Sequence, residues 1–374
     1  MRDIDGPQAE LLLINGRLVI NFSSNNYLGL ASHPLLHSEA HRHLTLEGLG
    51  SGASRLIAGN LRSHRQLEED LARFFRTESA LLFNSGYHAN IGVLSSIATN
   101  DDQIFSDALN HASIVDGCRL SRARVHVFPH GDLAALKRAL SSSLPARRRI
   151  IVTDSIFSMD GDTAALPDLR TLAQAHDAVL MVDEAHATGV TGPGGRGLAA
   201  ALGIPVDIHV GTLSKGVGAF GAFVAGSRPL IEYLLNRARS FVFTTALPPS
   251  VAAAARAALS LLDSPQGEVL RARLHQRISQ FRSGLATLGL LAPGAGETAI
   301  FPIVVGDSRR TMEACEALLA RGIFAQGIRP PTVPHGTARL RFSLMATHAE
   351  QHLERALAVL EDLVAKEIIP RSQP

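Results

Sequence analysis

The feature that most limits the possible folds is a series of short apolar runs, each separated from the next by a helix-like stretch. ALLF (80–83), QIFSD (103–107), RVHVF (124–128), RIIVTDS (149–155), AVLMVDE (178–184) and VDIHVGTLS (206–214) all have strand length and are rich in Val, Ile or Leu. Most are apolar on both faces, which belongs to a parallel sheet covered by helices on both sides rather than to a sheet with one wet face. Between them, HRQLEEDLARFF (64–75) sets Leu67, Leu71, Phe74 and Phe75 at helical spacing, and HASIVDGCRLS, DLAALKRALS and PDLRTLAQAHD read as helices too. Ligands of such sheets gather beyond the carboxyl ends of the strands. Ser85, Gly86, Asp107, Asp154, Ser155, Asp183, Thr212 and Ser214 all fall at those ends.

The texture changes after about residue 247. PPSVAAAARAALSLL and LRARLHQRISQFRSGLATLGLL read as long helices, followed by strand candidates in ETAIFPIVV, IFAQGI and ARLRFSL and a terminal helix. That pattern describes a second, smaller α/β domain around an antiparallel sheet. ELLLINGRLVINFSS at the start resembles a hairpin turning at Asn15-Gly16. The expected division is an N-terminal segment (1–40) packing with the small domain, a large domain (41–247) and a small C-terminal domain (248–374). A length of 374 residues suits two packed domains.

A net charge of +2 is too small a bias for nucleic acid or an anionic membrane, both of which need a concentrated basic face. ARRRI (146–150) and RLSRARV (119–125) read as solvated flanks. Cys118 and Cys315 lie far apart, so neither a disulfide framework nor a zinc site is expected. The start MRDIDGPQAE has no signal-peptide core, and no run reaches the roughly 18 apolar residues of a membrane span. A cytoplasmic protein is expected, with no metal, nucleic-acid or membrane partner.

LMVDEAHATGV (180–190) carries the letters DEAH of nucleotide-hydrolysing helicases. That reading requires a phosphate-cradling GxxxxGK loop ending in Ser or Thr, and the chain has none. Only three lysines occur: Lys137 and Lys366 in solvated helical contexts, and Lys215 in VGTLSKGVGAFGAF, behind a strand and between hydroxyls and glycines. Lys215 is either a turn lysine or a partly desolvated Schiff-base nucleophile. Pyridoxal 5′-phosphate (PLP) needs such a lysine and an acid that keeps its ring nitrogen protonated. Asp183, at the end of a buried strand on the same edge, fits the second role. His186 could then bond the ring's phenolic oxygen, while Glu184 points to the opposite face.

The chain resembles the α-oxoamine synthase family of PLP enzymes over nearly its whole length. The blocks are NFSSNNYLGL (21–30), GLGSGASRLIAGN (48–60), ALLFNSGYHAN (80–90), SDALNHASIVDG (106–117), TDSIFSMDGD (153–162), VDEAHATGVTG (182–192), GTLSKGVGAFGAF (211–223), FTTALPP (243–249) and RLRFSLMATH (339–348). The resemblance implies the α/β PLP-dependent transferase fold type I: a large, mostly parallel seven-stranded sheet domain that binds PLP, and a smaller C-terminal α/β domain. It implies that Lys215 forms the Schiff base, Asp183 holds the pyridine nitrogen and His111 stacks on the ring. Ser158 and His186 lie near the phenolic oxygen. Gly86 and Tyr87 offer backbone N–H groups to the phosphate, and Thr212 adds a hydroxyl. Thr244 or Thr245 reaches the phosphate of the neighbouring subunit of a homodimer.

IRPPTVPHGTARLR (328–341) is close to the form in the biotin-pathway branch of the family. It implies L-alanine and a pimeloyl thioester, on coenzyme A or acyl carrier protein, as substrates. Arg341 then clamps the amino acid's carboxylate and Asn25 lines the pocket. A branch that uses glycine and acetyl-CoA stays open, as does a non-catalytic scaffold subunit of the same fold. Asn26 stands where an acid is common and Ala187 where Gly is common, and the N-terminal helix usual in the family is expected to be absent. Neither substitution removes a reacting group; the helix can carry an arginine near the acyl donor.

Overall fold

Side chains at successive strand positions point to opposite faces of a sheet, so the two-faced apolar runs demand a cover on each side. The computed structural model, which describes residues 2–292 and 294–371, supplies it. In chain order the first strands are β1 (Ile4–Asp5), β2 (Leu11–Ile14), β3 (Arg17–Asn21), β4 (Ser79–Phe83), β5 (Gln103–Asp107), β6 (Arg124–Phe128) and β7 (Arg149–Asp154). Then follow β8 (Ala178–Asp183), β9 (Ile208–Thr212), β10 (Ala222–Gly226), β11 (Ile300–Gly306), β12 (Ile323–Phe324), β13 (Gln326–Ile328) and β14 (Ala338–Ser343).

Two compact units divide the chain. The larger contains His33–Phe157 and Thr163–Gly267; the smaller contains the described residues up to Ser32, Ser158–Asp162, and those from Glu268 onward. The larger unit is built on one seven-stranded sheet of order β4-β10-β9-β8-β7-β5-β6. Its β5, β6, β7, β8 and β9 pair in parallel, and β10 runs antiparallel between β4 and β9. The mostly parallel, seven-stranded α/β sheet that the resemblance implies is therefore present. β10 is the strand the apolar pattern does not single out, because it follows a glycine-rich loop without a helix between.

The alternation is visible in the core. Ile104, Ile150, Val152, Met181 and Val210 pack on one face with the helices Gly86–Ile97 and Ala112–Ser121. Phe105, Ile151, Leu180 and Val182 pack on the other with Leu133–Ser142 and Leu166–Ala175. The helix Pro249–Leu262 belongs to this unit and packs on the helices Pro34–Glu47 and Arg62–Phe75.

In the smaller unit, β2 and β3 form a hairpin whose turn places both Asn15 (φ 49°) and Gly16 (φ 75°) in the left-handed region. That geometry suits the right-handed twist of the strands, and Asn-Gly adopts it readily. β3 pairs in parallel with β12, which ties the start of the chain to its C-terminal third. A three-stranded antiparallel sheet, β11-β14-β13, completes this unit.

Candidate active site

The carboxyl ends of β4, β5, β7, β8 and β9 bring polar side chains to one edge of the large sheet. Asp183 ends β8 and shares the register of Asp154 at the end of β7, so the two acids lie on the same face, which is the face of Met181 and Val152. Asp183 is buried. Its Oδ2 accepts from Asn90 Nδ2 at 2.6 Å and its Oδ1 from the Ala185 amide at 2.8 Å. Both donors are neutral, so the carboxylate's remaining lone pairs suit a cationic N–H.

Lys215 stands half-buried in the turn after β9, with Nζ 2.9 Å from His186 Nε2. The turn is knitted by Thr212, whose Oγ1 lies 2.7 Å from Ser214 Oγ and donates to the Gly221 carbonyl at 3.0 Å. His186 reaches Lys215 from the loop after β8. Glu184, one residue past Asp183, lies on the other face, where it accepts from the Ala199 amide at 2.8 Å. His209 Nε2 approaches Glu184 Oε2 to 3.0 Å without the alignment of a hydrogen bond. Burial pushes Glu184 up to about 7 and His209 down to about 4, so this contact is not a charged pair.

His111 follows β5 as the N-cap of the helix Ala112–Ser121. Its amide donates to Asp154 Oδ2 at 2.7 Å, and Asp154's own amide donates to Asn110 Oδ1 at 2.9 Å. Burial pushes the His111 imidazole down; the Asp183 charge opposes that shift and the Lys215 ammonium adds to it. Burial, then the Asp183 charge, hold the Asp154 carboxyl well above the usual carboxylate range.

β4 leads through Asn84 to Ser85, which caps the helix Gly86–Ile97 by accepting from the His88 amide at 3.2 Å. The first-turn amides of Gly86 and Tyr87 have no acceptor within the helix, and an added Cβ at Gly86 would meet no atom within 4 Å. Such a terminus, with the dipole behind it, is an anion site. Tyr87's own hydroxyl is directed elsewhere, donating to Asp116 at 2.5 Å. Asn84 Nδ2 donates to Thr244 Oγ1 at 3.1 Å and to the Thr245 carbonyl at 2.9 Å.

The larger unit thus collects Gly86, Tyr87, His111, Asp183, His186, Thr212, Lys215, Thr244 and Thr245. Asn25, Ser158 and Arg341 belong to the smaller unit. There, buried Arg341 donates Nε to the Ser158 carbonyl at 2.6 Å, Nη1 to Ser343 Oγ at 2.7 Å and Nη2 to Asn25 Oδ1 at 3.1 Å. Tyr27, also buried, donates to the same Asn25 oxygen at 3.2 Å. All three acceptors on Arg341 are neutral, so its charge is held in place without being cancelled by them. Neighbouring Arg339 is instead paired with Asp160.

Three residues that the motif reading left without a role stand out: Asn90, Ser113 and Asp154. The available signals were faint: Asp154 falls at a strand end, and Asn90 is an asparagine in the apolar stretch ANIGVL.

The donor set fits PLP. An anion site, a nucleophilic amine, a buried carboxylate and an imidazole converge on one sheet edge, and open space lies above Gly86. The comparisons agree. The model of the family described as aminotransferase class I and II matches residues 17–360. An 8-amino-7-oxononanoate synthase of Citrifermentans bemidjiense is 52% identical over 98% of this chain and 94% of its own. Among solved structures, a serine palmitoyltransferase from S. paucimobilis carrying PLP joined to myriocin superimposes with a TM-score of 0.95 at 31% identity, covering 99% of this chain and 94% of that one. An 8-amino-7-oxononanoate synthase from Francisella tularensis gives 0.81 at 30% identity, covering 94% and 99%.

Proposed function

This chain belongs to the α-oxoamine synthases of the aminotransferase class I and II family, and on that premise we propose that it joins L-alanine to a pimeloyl thioester. CO2 is lost, and 8-amino-7-oxononanoate and the free thiol carrier are formed, a step of biotin biosynthesis. The observation that carries the reading is the convergence of Lys215, Asp183, His186 and His111 on the edge that also holds the Gly86 helix terminus.

PLP, when bound, supplies the electron-withdrawing ring that lets the alanine Cα give up first its proton and later its carboxylate. The chain's residues hold and steer it. Lys215 would hold the cofactor covalently through Nζ until the alanine amine displaces it, and the amine so freed would carry the Cα proton away and return one after CO2 has left. His186, 2.9 Å from that amine, orients it. Asp183 would face the ring nitrogen, where its negative charge would keep that nitrogen protonated. His111 would lie against the ring, and Ser158 and His186 would each serve its phenolic oxygen. The Gly86 and Tyr87 amides would take the phosphate, and Thr212 would join them by turning its hydroxyl hydrogen away from the Gly221 carbonyl.

Arg341 binds the alanine carboxylate with a guanidinium already fixed on three sides, and Asn25 lines the same pocket. The enzyme works as a homodimer in which Thr244 or Thr245 reaches the partner's phosphate. In support, Phe243, directly before Thr244, is 71% exposed in the single chain, and Ile57 is 82% exposed. The carrier of the pimeloyl group is coenzyme A or acyl carrier protein. No helix among the described residues is long and apolar enough to cross a membrane, and a cytoplasmic location completes the proposal.

Three lysines make the test clean. The protein is loaded with PLP, reduced with borohydride, digested and mapped by mass. Labelling at Lys215 is the expected result; labelling confined to Lys137 or Lys366, or none at all, would overturn the assignment.

A further inference from the structure

We infer that Asn90 and Ser113 are positioning residues that lock His111 in one tautomer, with its proton on Nε2, and tie it to Asp183 through a single hydrogen-bond chain. The inference rests on the proposed site and deepens it. Asn90 Nδ2 lies 2.6 Å from Asp183 Oδ2 and 2.9 Å from Ser113 Oγ. Ser113 Oγ in turn lies 2.7 Å from His111 Nδ1, and the Ser113 amide donates to that same nitrogen at 3.2 Å.

Proton counting orders the chain. An amide nitrogen of Asn carries two hydrogens, and here each has one acceptor. A backbone N–H can only donate, so His111 Nδ1 is an acceptor and the ring proton sits on Nε2. Ser113 Oγ accepts from Asn90, so its own hydrogen is available for Nδ1. The reverse placement of the Asn90 amide would set its oxygen 2.6 Å from a carboxylate oxygen, acceptor against acceptor. The orientation that avoids this leaves Asn90 Oδ1 buried without a hydrogen bond, an unfavourable feature in itself. The fold gives up one good acceptor to keep both donors on Asp183 and Ser113.

The surroundings make the arrangement rigid. Asn90 and Ser113 are 0% and 1% exposed. They sit on two helices that approach closely enough for such short side chains to meet. Gly117, one turn beyond Ser113, permits that approach: a Cβ there would lie 2.9 Å from Leu94 Cδ1 and 3.0 Å from the Asn90 carbonyl. At the other end, Asp154 holds the His111 amide. The charged or titratable groups about His111 are thus Asp183 and Asp154 from the sheet and Lys215 from the turn after β9. Burial opposes protonation of the imidazole, and with Nδ1 held by its two donors His111 offers a fixed N–H donor at Nε2.

The test is nitrogen NMR of histidine-labelled protein, with and without PLP. The His111 signals are identified by their loss in His111→Asn. In the natural protein, Nδ1 should resonate as an acceptor and Nε2 as a protonated nitrogen. In Ser113→Ala the backbone donor to Nδ1 remains but the hydroxyl donor is lost, so the Nδ1 signal should move toward that of a more weakly bonded acceptor. The pH profile of turnover should shift with it, while PLP stays attached at Lys215. Ser113→Thr, which keeps the hydroxyl, should restore the natural pattern. A proton on Nδ1 in the natural protein overturns the inference, as does a Ser113→Ala protein with unaltered His111 signals. If PLP fails to attach at Lys215, it is the functional reading that falls.

Discussion

Arg341→Lys separates recognition of the amino acid from recognition of the acyl donor. The guanidinium is fanned across three acceptors, the Ser158 carbonyl, Ser343 Oγ and Asn25 Oδ1. An ammonium keeps the charge but presents a single point, and it cannot meet a carboxylate with two parallel N–H groups. The loss on the substrate side is one charged hydrogen bond, worth about 1.5–3 kcal/mol. At about 1.4 kcal/mol per factor of ten, that is roughly a tenfold to hundredfold weakening of alanine binding. Initial rates measured against alanine at saturating pimeloyl thioester, then the reverse, resolve it. The KM for alanine should rise by that factor while the KM for the thioester stays put. An unchanged alanine KM with a raised thioester KM would place Arg341 on the acyl donor and refute the reasoning.

Three further outcomes are expected. Asp183→Asn keeps a side chain that can still bond Asn90 but removes the charge facing the ring nitrogen, so kcat should fall by about a hundredfold or more, with PLP still detectable by absorbance; near-normal turnover would show that the charge is not used. His348 donates to the Asn21 carbonyl and accepts from the Met345 amide, and burial, aided by His352 and Arg277, holds it down to about 4 against an ordinary 6.5. The unfolded chain therefore binds this proton more tightly, and stability falls as pH drops from 6.5 toward 4, by on the order of 3 kcal/mol; melting curves of His348→Gln should show a weaker acid dependence, and an identical one would discount the residue. Burial pushes the Cys118 thiol up to about 12 and raises Cys315 as well, so a maleimide at mild pH should label both thiols in the denatured protein and neither in the native one, with rapid native labelling as the contrary result.

The parts of the fold that were legible in the sequence are those written in local pattern. The parallel strands announce themselves as apolar runs between helices, and the Asn15-Gly16 hairpin as turn chemistry. β10 is hidden because Ala222–Gly226 continues a glycine-rich loop and runs against its neighbours. Helix Pro249–Leu262 reads locally like the long helices after it, and only its packing on Pro34–Glu47 and Arg62–Phe75 assigns it to the larger unit. Lys215 and Asp183 stood out by rarity and by place: one of three lysines, and an acid at a strand end. Period-two alternation separates Glu184 from Asp183 without any structure. Asp154 shared the strand-end mark but not its meaning, and Asn90 and Ser113 carry no such mark, because what these residues do depends on which strand end or helix turn lies within 3 Å, a property of the packed chain.

The central claim is a condensation that consumes alanine's carboxylate. The direct measurement supplies carboxyl-labelled L-alanine with pimeloyl-CoA or with the pimeloyl acyl carrier protein, and counts labelled CO2 against free thiol. Equal amounts of the two, dependent on both substrates and abolished by Lys215→Ala, are the expected result. No labelled CO2 from alanine, or turnover only with glycine and acetyl-CoA, would contradict it.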